Sequence, residues 1–145
     1  MLSDRAELRQ AFFDAWARYE RQEPLHGADA LIIEAALRHP EYHPVLRAPE
    51  RYHEREWQPE LGTVNPFLHL GLHIAVQEQL TMDRPPGIRG HYEALCARLG
   101  DAHEAQHQVM DCLAEALWQA QRDHKAPDDV QYLYCVAHAA RGAHA

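Results

Sequence analysis

At 145 residues and 16.7 kDa the chain has the length of one domain, enough to bury a core without disulfide help. Acidic residues outnumber basic ones 22 to 14, a net charge of −8, so the surface repels phosphate backbones and anionic lipid; neither a nucleic-acid nor a membrane partner is expected. Hydrophobic residues at 46% rule out a disordered chain, and the twelve histidines are an excess that asks for a reason.

Helical periodicity runs from end to end and no stretch shows the alternation of a strand, which predicts an all-α single-domain bundle of five to six helices spanning 1–145. The first helix covers Asp4 to Arg21, with Phe12, Phe13, Trp16 and Tyr19 at packing positions. A second, Asp29 to Leu37, stops before Pro40, and a short helical turn follows at His43. Arg47 to Thr63, with Pro49, Pro59 and Gly62 among charges, reads as a long outer connection. Asn65-Pro66 starts a helix that reaches about Thr81, with apolar residues all round its axis. Asp83 to Gly87 forms a turn, and a fourth helix runs from Ile88 to Leu99, ended by Gly100. Asp101 and Glu104 open the longest helix, Ala102 to Arg122, and Pro127 to His138 forms the last. Residues 140–145 read as a frayed tail.

The charged N-terminus lacks a signal-like apolar stretch, so the protein is expected in the cytoplasm. Cys96, Cys112 and Cys135 are odd in number, far apart and without a C-x-x-C pair, a pattern of buried reduced thiols rather than a disulfide or thiolate zinc site. The sole serine is Ser3, which forms no nucleophile elbow, and nothing singles out a Cys112–His107 pair. No phosphate-cradling Gly-rich loop precedes a helix. The pattern names neither a small-molecule substrate nor an oligomeric state, and a homo-oligomer is compatible with it.

Histidine spacing carries the functional reading. His69 and His73 lie about 40° apart on their helix and share a face with Leu72, Val76 and Leu80. On the long helix His103 and His107 lie about 20° and 60° from Met110, beside Leu113, Ala114 and Leu117. Two His-x-x-x-His pairs set among apolar residues would be costly to bury unless bonded, and a transition metal between them removes that cost. Asp111 continues the His103–His107 ladder, and Glu34, inside the apolar LIIEAAL segment, is the second candidate carboxylate. The mixture of imidazole and carboxylate favours iron over zinc or manganese, in a mono- or dinuclear non-haem site. Iron would bring oxygen or redox chemistry; zinc with an open position would bring hydrolysis.

Glu104 has the Glu-x-x-His spacing of bundle metal sites, but its distance from Asp101 fits helix capping better. Gln77 is placed for an outer hydrogen bond, whereas Glu78 points the opposite way from His69. His39 and His43 straddle a proline break and could cap, pack or supply one ligand. His53, His91, His124, His138 and His144 sit in polar or terminal contexts and read as solvent histidines. The alternative is a non-catalytic interaction or assembly protein whose histidines form a polar core with no metal. Haem between two histidines is a third option, without covalent attachment motifs.

Asn65-Pro66-Phe67-Leu68-His69 leading to His73, Arg84-Pro85-Pro86-Gly87-Ile88-Arg89, and Leu99-Gly100-Asp101-Ala102-His103-Glu104 through His107 to Trp118 resemble the bacterial domain of unknown function 1841. The likeness extends from about His39 to the last helix. It implies a small stand-alone bacterial protein with no established activity, and it transfers no catalytic residues. The bundle is also similar to ferritin-like and hemerythrin-like bundles, as an analogy of helices and ligand spacing.

Overall fold

The computed structural model describes residues 4–58 and 64–142. Among these residues the chain is helical, without a strand. The helices are α1 (Asp4–Glu20), α2 (Asp29–Leu37), α3 (His43–Leu46), α4 (Pro49–Tyr52), α5 (Pro66–Met82), α6 (Ile88–Leu99), α7 (Ala102–Asp123) and α8 (Asp129–Ala140), with a 3-10 turn at Pro40–Tyr42. Among the described residues the eight helices exceed the five to six expected because the turn at His43 and part of the supposed connection each close into four residues. A proline in the first turn of each lacks the N–H that a helix start leaves unbonded anyway. Residues 59–63 of that connection lie outside the described residues, as do 143–145 of the expected tail, whereas Ala140 is the last residue of α8. No described helix is long and apolar enough to cross a membrane.

The chain divides into two compact units, 1–74 and 75–145, with the boundary inside α5 after Ile74. In the first unit α1 packs on α2. Its core joins Phe12, Phe13, Ala15 and Trp16 of α1 to Ile32, Ile33, Ala35 and Ala36 of α2, with Leu46, Phe67 and Leu70. The Phe67 ring lies 5.9 Å from Phe12, stacked, and 5.4 Å from Phe13, edge-on. Each such aromatic pair adds about 0.5–1.5 kcal/mol beyond its buried area.

Arg9 shares the helical face of Phe12, Phe13 and Trp16 and is buried with them. Its Nη1 donates to the carbonyls of Tyr52 (3.2 Å), His53 (3.1 Å) and Arg55 (2.9 Å), fastening the chain after α4 to α1. The guanidinium carbon lies 5.3 Å from the Trp57 ring centroid and 4.8 Å from that of Phe67. Burial, with neighbouring Arg5, lowers the Arg9 pKa against the opposing pull of Glu56.

In the second unit α6, α7 and α8 pack on one another. Gly100 ends α6 in the left-handed conformation, φ 68°, which a residue without Cβ adopts at no steric cost. The Asp101 side chain accepts from the amides of His103 (3.0 Å) and Glu104 (3.1 Å), and Asp128 caps α8 in the same way. The buried face of α7 consists of Ala105, Gln106, Val109, Met110, Cys112, Leu113 and Ala116.

Cys112 and Cys135 are joined by a disulfide, with their Cα atoms 5.8 Å apart. This corrects the expectation of reduced thiols and removes Cys112 as a partner for His107. Spacing along the chain revealed no pair, because the two cysteines, 23 residues apart, meet only through the packing of α7 on α8. Cys96 is a free thiol.

Candidate metal centre

The first unit gathers three histidines from two stretches of chain. Asn65 starts α5 as its sequence promised, its Oδ1 accepting from the amides of Phe67 (2.9 Å) and Leu68 (3.3 Å). The next turns carry His69 and His73 on one face, as their spacing requires. His39 enters from the end of α2, where Pro40 halts the helix.

His39 Nε2 lies 2.9 Å from His73 Nε2 and 3.1 Å from His69 Nε2. His39 and His73 are buried, 6% and 2% exposed, and His69 is half-buried. At metal–nitrogen distances near 2.0–2.1 Å, neighbouring imidazole nitrogens on one ion stand about 2.9–3.4 Å apart. The separations from His39 have that size.

The other nitrogen of His39, Nδ1, lies 2.8 Å from Glu41 Oε2. Burial opposes the Glu41 charge, but the hydrogen bond to His39 and a backbone hydrogen bond outweigh it and hold the carboxyl below its usual range. Tyr42 stacks on His39 with ring centroids 5.2 Å apart, and burial raises its phenol pKa.

The second unit carries a pair. His103 and His107, one turn apart on α7, have ring centroids 4.3 Å apart and are half-buried. Glu104 Oε2 is 3.7 Å from His107 Nδ1. Asp101 therefore caps α7 as expected, while the Glu104 carboxylate stands beside a histidine. Partial desolvation against the helix surface raises the Asp111 pKa, His107 opposes this, and Glu104 adds to it.

Several expectations change. Ala114 and Leu117 are exposed, so the apolar stripe of α7 centres near Val109 and the two histidines lie at its edge, not its middle. Asp111, a turn further round, is on the exposed side. Glu34 is also exposed, with Arg38 Nη2 3.3 Å from its Oε1. Ile32, Ile33, Ala35 and Ala36 take the inner face of α2, and Glu34 sits about 180° from its centre, so apolar neighbours in sequence do not bury it.

Gln77 accepts from Gln106 Nε2 at 3.3 Å, a residue only 2% exposed. Glu78 is exposed, as expected. His43 proves a packing residue: its Nε2 is 2.8 Å from the Ala36 carbonyl and its ring 4.3 Å from that of Trp16. His53 is not a solvent histidine, since its ring stacks near Phe13 at 6.4 Å and the residue is half-buried. His91 and His138 are also partly buried, His124 is exposed, and His144 lies outside the described residues.

His39, which spacing left among capping, packing and ligand roles, is the residue that joins His69 and His73. A readable sign was Glu41 two residues on, an acid able to bond the imidazole across the proline turn. No curated protein and no solved structure matches the chain. A family model described as a domain of unknown function, DUF1841, matches residues 4–138, nearly the whole length; the chain belongs to that family.

Proposed function

We propose that this is a metal-binding helical protein whose histidines offer ring nitrogens to transition metal, with His39, His69 and His73 as the set of the first unit and His103 and His107 as the pair of the second. The observation that carries the reading is the approach of the His69 and His73 Nε2 atoms to His39 Nε2 at 3.1 and 2.9 Å, among residues buried or half-buried.

Imidazole suits zinc, copper, nickel and iron alike, so the histidines define the class of metal and not its identity. Iron is the metal to test first, in a mono- or dinuclear site, because Glu104 and Asp111 accompany His107 on α7 and mixed imidazole–carboxylate sets suit it. Glu34, turned outward onto Arg38, is not part of the proposed set. Bound iron would supply oxygen or redox chemistry; the histidines' part is to hold and orient the ion in surroundings with little water.

Elemental analysis and a visible spectrum of protein purified without a histidine tag test this. The expected result is about one to two equivalents of a single transition metal, iron first, for a mono- or dinuclear site. Protein that holds no stoichiometric metal, and takes none up from added Fe2+ or Zn2+, would overturn the reading in favour of a metal-free polar core serving interaction or assembly.

A further inference from the structure

We infer that Glu41 is the positioning residue of this centre: it fixes the tautomer of His39 and turns its Nε2 lone pair toward the ion. The inference rests on the metal-binding reading above. A neutral imidazole has one N–H and one in-plane lone pair. With the Glu41 carboxylate 2.8 Å from Nδ1, the proton belongs on Nδ1 and the lone pair on Nε2.

That is the nitrogen approached by both His73 and His69. One lone pair is well placed for one donor, yet two ring nitrogens stand within hydrogen-bond distance of it. A cation at their meeting point serves all three lone pairs at once, and Nδ1–H remains on the acid. This is the carboxylate–histidine–metal arrangement, in which the acid orients the ring and raises its basicity without touching the ion. Pro40 aids it by setting the backbone turn that carries Glu41 back beside His39. Glu41 itself is more than half exposed, with 58% of its side-chain surface accessible, so the core does not depend on it for packing.

The test is titration of the full chain with Zn2+ against a chromophoric chelator and with Co2+ followed by its visible ligand-field bands. Wild type and the variants Glu41→Ala and Glu41→Asp are compared. Glu41→Ala is expected to bind Zn2+ about 10–100-fold more weakly. Its Co2+ bands should also move or weaken, while the melting temperature of the metal-free protein stays that of wild type. Glu41→Asp is expected to restore most of the affinity and the spectrum. Equal Zn2+ affinity and identical Co2+ bands in wild type and Glu41→Ala would overturn the positioning role while leaving the metal centre standing. Failure of the wild type to bind either ion would overturn both.

Discussion

The histidines of the two units are assembled by different means. Those of the second unit, His103 and His107, occupy successive turns of one helix, are half-buried, and have Glu104 beside them. Those of the first unit come from residues 30 and 34 positions apart, and their ring nitrogens approach within 3.1 and 2.9 Å of His39. A pair on one helix exists as soon as that helix forms. A cluster from separate stretches exists only when the unit has folded, and its loss should therefore report on both metal and structure.

The sharpest way to break this comparison is His73→Ala. It should leave less than about a tenth of the wild-type metal content and, by opening a cavity at a residue 2% exposed, destabilise the fold by about 2–4 kcal/mol. Elemental analysis and denaturant unfolding read the two effects. His107→Ala should release the metal held by the second unit's pair, yet cost the metal-free protein only about 1 kcal/mol, since its side chain is only partly buried. Equal destabilisation of the metal-free protein by both substitutions would erase the distinction.

A finer test removes a helix start without touching a ring. Asp101→Ala deprives the His103 and Glu104 amides of their acceptor and should lower stability by about 1 kcal/mol in urea unfolding. Full metal loss in that variant, with the fold intact, would mean that the pair depends on its cap more than helix geometry implies. The smallest effect belongs to Glu34→Gln. Loss of an exposed ion pair with Arg38 should change stability by less than about 0.5 kcal/mol and leave metal content as in wild type. Metal loss there would restore Glu34 to the ligand set.

The sequence made some of these features legible for definite reasons. Asn65, Gly100 and Asp101 mark helix ends through local backbone chemistry, and α5, α6 and α7 begin and end within a residue or two of where that chemistry placed them. The sharing of one face by His69 and His73 follows from helical spacing alone. What stayed hidden depends on contacts between segments. His39 is brought to His69 and His73 by the fold of the first unit, Cys112 meets Cys135 through the packing of α7 on α8, and Arg9 reaches the carbonyls after α4. Glu34 shows the converse: its apolar neighbours along the chain suggest enclosure, whereas the helix turns them to its opposite side.

The central claim is that imidazole rings, and not carboxylates alone, grip the ion. X-ray absorption at the metal edge of the loaded, untagged protein tests it most directly. The account predicts nitrogen neighbours at about 2.0–2.2 Å with the outer-shell scattering of about three or four imidazoles, reduced in His73→Ala. An oxygen-only shell without imidazole scattering, or a spectrum unchanged by that substitution, would contradict it.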